Sequence, residues 1–216
     1  MCGGMSPFRH FFSDVGPIVV RDPLAEFVGA FEHHRALLEY AFDDVVKLTG
    51  YACPNVAAAF VCCKRALGHL HVGEVPERGN IAVTVHGAID DGAYGQMGQV
   101  YSYVTGAGGP GGFKGLGPSF RRKDLLAYDP ARANGESMGV TFTRIDKGKA
   151  IKADVFPARF PAVAGQERVP ELMDKALRGT ASHDELHAFQ DLWAERIKAI
   201  LVDEQDVDAW LVIQPA

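Results

Sequence analysis

Cys53 stands directly before a proline that opens an apolar, alanine-rich run, Pro54-Asn55-Val56-Ala57-Ala58-Ala59-Phe60. Proline suits the first turn of a helix, where its missing N–H costs nothing. The pattern therefore predicts a helix from Pro54 to about Leu70 with Cys53 at its entrance. A thiol there meets unpaired backbone N–H groups and the positive end of the helix dipole, which favour thiolate over thiol. Thiolate is the form that attacks electrophiles and binds soft metals. The plainer alternative is a small apolar cap packed inward, since cysteine is among the most buried residues. Tyr51 lies two positions earlier and joins Cys53 as a candidate catalytic pair, whereas Cys62 and Cys63 sit inside the helix and read as core.

The histidines offer other chemistry. His183 and His187 share a helix face at i, i+4, as in zinc proteases. That motif needs Glu directly after the first His, and Asp184 stands there, so the spacing predicts a solvated surface pair. His69 and His71 flank the end of the long helix, where they can serve its last carbonyls. His33 and His34 are adjacent and cannot share a helix face. His86 ends a predicted strand just before a turn, a place where functional groups often sit.

A third feature is Thr105-Gly106-Ala107-Gly108-Gly109-Pro110-Gly111-Gly112-Phe113-Lys114-Gly115. So many glycines forbid a regular element and imply tight turns or close approach. The loop could cradle an anionic ligand with its N–H groups while Lys114 supplies charge. Alternatively, it lets two segments or two subunits come close. It is not a P-loop, because no Gly-Lys-Ser/Thr follows at the required spacing.

The elements that must position these residues can be read from periodicity. Leu24, Phe27, Val28 and Phe31 follow a helical spacing. Leu37, Leu38, Tyr40, Ala41 and Val45 predict a continuation or second helix ending at Gly50. After the long helix come a strand over Ile81–Val85, a short helix over Gln96–Val104 and a strand over Leu125–Tyr128. Met138–Arg144 and Ala150–Phe156 around Asp146-Lys147-Gly148 predict a hairpin. Two closing helices follow, Gln166–Leu177 and Ser182–Leu201, the second with a Ser182/Glu185 capping box. The expected fold is a single α+β domain, helices on a mixed or antiparallel sheet. Residues 1–23 form an N-terminal arm, 24–156 the core, and 157–216 a helical extension packed on it.

The chain has 216 residues, 22 basic against 27 acidic side chains, and a net charge of −5. A mildly acidic chain lacks the electrostatic footprint of a nucleic-acid binder, and Arg121-Arg122-Lys123 is too short to supply one. No apolar stretch approaches the ~20 residues that cross a bilayer. The four cysteines form no C-x-x-C pair, so neither a zinc ribbon nor a disulfide framework is expected. A cytoplasmic location is the expectation.

Three stretches together resemble the E-subunit family of formylmethanofuran dehydrogenase. They are Asp43 to Ala57, with Gly50-Tyr51-Ala52-Cys53-Pro54 at its centre, the Thr105-Gly106 turn after a helix, and Gly112-Phe113-Lys114-Gly115. That family carries Gly-His-x-Cys-Pro before a long helix, then a Thr-Gly-Cys turn and a glycine-and-lysine loop. The resemblance covers roughly residues 24 to 156. It implies a homodimer and a cleft beside the Cys-Pro turn that holds a metal or small ligand. The ligand contacts would be Thr105, Gly106, Phe113 and Lys114. The family's histidine position falls on Tyr51 and its turn cysteine on Ala107, so a zinc or iron site would pair Cys53 with a substitute. Tyr51, His86 and His10 are the candidates, His86 first. Tyrosinate with Cys or His can also hold a haem iron, although the spacing does not ask for haem. The C-terminal zinc finger of some relatives is missing, since no cysteine follows Cys63. The expected function is a metal- or small-ligand-binding protein of redox metabolism. Its rivals are a metal-free thiol enzyme and a non-catalytic subunit of a larger oxidoreductase.

Overall fold

The computed structural model describes residues 7–32, 37–202 and 206–216. His33, His34 and Cys2 lie outside them. The chain begins with a 3₁₀ turn, His10–Val15, whose Phe11 and Phe12 are buried. Strand β1 (Ile18–Arg21) follows, then the short helix α1 (Pro23–Phe27), capped by the Asp22 carboxylate. Strand β2 (Leu37–Tyr40) returns antiparallel to β1. The helix expected across 37–50 is thus two elements, and only α2 (Phe42–Thr49) is helical. Leu37, Leu38 and Tyr40 fit either period, and pairing with β1 decides for strand.

Gly50 closes α2 in the left-handed conformation, φ 78°, and its N–H bonds Val46 O at 2.8 Å. This left-handed cap suits glycine and turns the chain into the Tyr51-Ala52-Cys53 link. The long helix α3 (Pro54–Leu70) then runs through the centre, its Val56 to Phe60 stretch wholly buried. Alanines at 57, 58 and 59 leave no bulk, so neighbours approach from several sides: α4 (Tyr94–Thr105), α6 (His183–Leu201), α2 and the sheet. At its far end His71 places Nδ1 3.3 Å from Leu67 O, on the last turn as expected.

The main sheet has five strands in the order β6-β3-β7-β8-β9. They are β3 (Ile81–Val85), β6 (Leu126–Tyr128), β7 (Met138–Arg144), β8 (Lys149–Val155) and β9 (Leu211–Pro215). Only β3 and β6 run parallel, the others antiparallel. Ile81, Val83, Val85, Val140, Phe142, Ile151, Ala153 and Val155 are all buried, forming the apolar layer of the sheet. A two-residue-per-strand hairpin, β4 (Gly115–Leu116) with β5 (Phe120–Arg121), follows the glycine-rich loop. Helices α5 (Val169–Leu177) and α6 match expectation, and the Ser182/Glu185 box is formed. The short helix α7 (Val207–Trp210) leads into β9, so the C-terminal segment supplies a sheet strand as well as helices. The fold is α+β. Among the described residues no helix is long and apolar enough to cross a membrane.

Candidate functional site

Three features fix the link that carries Cys53. Gly50 turns the chain, the Thr49 hydroxyl donates to Tyr51 O at 2.7 Å, and the Trp193 indole on α6 donates to Ala52 O at 2.9 Å. Cys53 then caps α3, its Sγ accepting from Val56 N at 3.4 Å. A side chain from α4 completes the cluster: Gln96 Nε2 lies 3.7 Å from Sγ. The Tyr51 hydroxyl donates to Gln96 Oε1. Tyr51 is half exposed, whereas Cys53 is only 6% exposed. The phenol and the amide therefore link a buried sulfur to the surface.

The expectation of a standing thiolate needs correction. Burial pushes the Cys53 thiol up, and the amides of Val56 and Asn55 with the Gln96 and Tyr51 side chains only partly offset it. Donors stabilise the anion, but desolvation penalises it more. Cys53 is a thiol at neutral pH. Burial likewise raises the Tyr51 phenol, helped by the neighbouring sulfur. Cys62 and Cys63 are fully buried core residues, as expected, and burial holds the Cys62 thiol at about 12.

Beside this cluster runs a groove of about 760 Å³, walled by Leu48, Ile89, Tyr103, Leu126 and Tyr128 and by Gly109-Pro110-Gly111 of the glycine-rich loop. Gln99, Ser102 and the Asp124 carboxylate add polar groups to it. Gln96, Gln99 and Tyr103 follow i, i+3, i+7 on α4 and so share one face. Gln96 and Gln99 are separated by about 4.5 Å along the axis at 1.5 Å per residue. Gln99 thus lines the groove while Gln96, one turn earlier on α4, meets the sulfur, and Leu48 of the groove sits three residues before Tyr51.

The other expected site residues go elsewhere. Thr105 is fully buried and caps its own helix: its hydroxyl donates to Tyr101 O at 2.7 Å and accepts from Ala107 N at 3.2 Å. Gly106 provides the left-handed end of α4. Both lie about 14 Å along the axis from Gln96, at the opposite end of the helix from Cys53. Phe113 and Lys114 are exposed and line neither the groove nor the other cavities. Three of the loop's amides are used within the chain: Gly106 N bonds Ser102 O, Gly108 N bonds Arg122 O and Gly112 N bonds Gly109 O.

His86 belongs to a separate buried cluster between β3, β7 and β8. Its Nε2 lies 2.9 Å from Thr141 Oγ1, and its ring packs over Gly139. Nearby, Ser137 donates to Asp154 Oδ1 at 2.7 Å and Lys152 pairs with Asp154 Oδ2 at 2.8 Å. Burial, followed by the charges of Arg132 and Lys152, lowers the His86 pKa, so its imidazole is neutral. His10 is exposed in the first 3₁₀ turn. His183 and His187 are exposed on α6 with Nε2 atoms 3.2 Å apart, the surface pair expected. Among the described residues, no three His, Cys, Asp or Glu side chains assemble as a metal site. The side-chain groups beside Cys53 are the Gln96 amide and the Tyr51 phenol.

No protein family, curated protein or solved structure matches the chain. Gln96 is the site residue that sequence reasoning missed. The visible signal was two glutamines one turn apart on an otherwise apolar short helix.

Proposed function

We propose that the protein binds a small, largely apolar organic ligand in the α4 groove and presents the Cys53 thiol, through Gln96 and Tyr51, at the end of that groove. The observation that carries this reading is the shared helix face of Gln96 and Gln99, which joins the sulfur cluster to the groove. Its volume suits one small organic molecule, and a mostly apolar wall with a few polar groups is how such sites obtain both affinity and orientation. The role in redox metabolism comes from the resemblance to the formylmethanofuran dehydrogenase family. In this reading the neutral thiol accepts from Gln96 Nε2 and holds that amide, and with it the start of α4, beside the bound molecule.

The test is to fill the groove. Gly111 lines the groove, has open space where a Cβ would stand and needs no left-handed backbone, so Gly111→Trp adds an indole to the groove's wall without backbone strain. Nile red, an uncharged apolar dye, should bind the wild type and lose at least tenfold in affinity in the variant at unchanged melting temperature. Equal affinity in both proteins would remove the groove as the binding site.

A further inference from the structure

A second cavity lies against the same glycine-rich loop. It is a cleft of about 380 Å³ between the start of α1, the 77–80 turn and the β4–β5 hairpin. Arg78, Arg121 and Arg122 line it together with Asn80 and Ser119. Behind it is one buried carboxylate, Asp22, which accepts from Arg78 Nη1 at 2.9 Å and from Arg122 Nη2 at 2.7 Å. The same carboxylate also receives the Leu24 and Ala25 amides as the cap of α1.

The ion pairs around this cleft are shared unevenly. Arg121 pairs with Asp124 at 3.2 Å and Asp146 with Arg144 at 2.8 Å, both at the rim. Glu77 shares Arg21 with Glu26, at 3.5 Å and 2.7 Å, and forms no ion pair with Arg78 or Arg122. Among the described residues Asp22 is the carboxylate that pairs with both inner guanidiniums. Donors are left over: Arg122 Nη1 and Arg78 Nε are buried without a hydrogen-bond partner, and the Arg122 side chain is only 4% exposed. The backbone is shaped around that guanidinium, since a Cβ at Gly79 or Gly106 would collide with Arg122 Nη1. A buried donor without a partner is costly to keep, and an oxyanion in the cleft would meet the guanidiniums of Arg78, Arg121 and Arg122 that line it.

We propose that this cleft binds the oxyanion head, phosphate or carboxylate, of a small molecule whose organic part rests on Pro23, Phe120, Leu125 and Ile145. Arginine forks match such heads in geometry as well as charge. Lys114, the cation expected from the loop, has no part in it. The inference stands apart from the groove reading, because it uses different residues and a different ligand chemistry.

The experiment titrates the full chain with inorganic phosphate and, separately, acetate at constant ionic strength, by calorimetry. The wild type should bind one anion per chain saturably, the tighter of the two naming the head group. Arg78→Gln should weaken binding at least tenfold. Because that variant loses an Asp22 partner and could fail to fold, Ser119→Glu is the deciding one: Ser119 is exposed on the rim, and a carboxylate there repels the ligand without touching the core. It too should weaken binding at least tenfold at unchanged melting temperature. Failure of both anions to saturate the wild type, or equal affinity in wild type and Ser119→Glu, overturns the proposal.

Discussion

Asp22→Asn separates two jobs that one buried carboxylate performs. Asparagine is as good a helix cap as aspartate, so the bonds from Leu24 and Ala25 survive while the charge is removed. What remains is a pair of guanidiniums, one of them wholly buried, sharing no anion. Breaking a buried pair by removing one partner costs about 3–5 kcal/mol, a large share of the roughly 5–15 kcal/mol that holds a domain together. With a urea m-value of about 2 kcal/mol/M, the midpoint should fall by roughly 1.5–2.5 M. Asp22→Ala should cost about 1 kcal/mol more, the value of the cap. The acid limb provides a second reading. Burial opposes ionisation of Asp22, but the Arg78 hydrogen bond, the Arg122 charge and the Ala25 amide outweigh it, so its carboxyl sits below the ordinary 3.8. The folded state therefore binds fewer protons than the unfolded one, and the stabilisation is complete above that pH and lost as pH falls below it. The gap between wild type and Asp22→Asn should close in the same range. A midpoint shift under about 0.5 M in urea would refute the reasoning, because it would mean that the two arginines do not depend on Asp22.

Two further outcomes concern titration elsewhere. The Cys53 thiol lies above its ordinary 9.0, so iodoacetamide labelling of its peptide should rise about tenfold per pH unit from 7 to 9 without levelling. A plateau by pH 8 would mean a standing thiolate and contradict the burial argument. His86 titrates below its ordinary 6.5, so the unfolded chain takes up protons first, and stability present above 6.5 is lost as pH falls below it. His86→Gln should flatten the decline in melting temperature between pH 7 and 5. An unchanged slope would show that this imidazole contributes nothing to it.

Local signals are readable in the sequence and non-local ones are not. The proline and alanines of α3, the Asp146-Lys147-Gly148 hairpin and the Ser182/Glu185 box each specify their element through neighbours a few residues away. Leu37, Leu38 and Tyr40 cannot declare themselves, because their period is ambiguous until β1 offers a partner. Strand β9 depends in the same way on the edge of β8. The site follows this division. That amides reach the Cys53 sulfur can be read from Pro54, but the desolvation that outweighs them comes from elements packed around it. Gln96 arrives from 43 residues away and Arg122 meets Asp22 across 100. Arg121-Arg122-Lys123 reads along the chain only as a basic run too short for nucleic acid, although its middle member is turned inward.

In the glycine-rich loop, close approach accounts for the glycines at 106 and 108. A Cβ at Gly108 would come within 2.9 Å of Phe113 O and 3.0 Å of Arg122 O, while Gly108 itself bonds the backbone of Arg122, Leu125 and Leu126. Gly106 makes room for the Arg122 guanidinium. The turn at Gly106 thus packs on arginines that line the cationic cleft, while Gly109 to Gly111 wall the groove. Bulk added at Gly106 or Gly108 must displace a neighbour, whereas a Cβ at Gly109 would meet only Leu126 O at 3.8 Å and one at Gly111 open space.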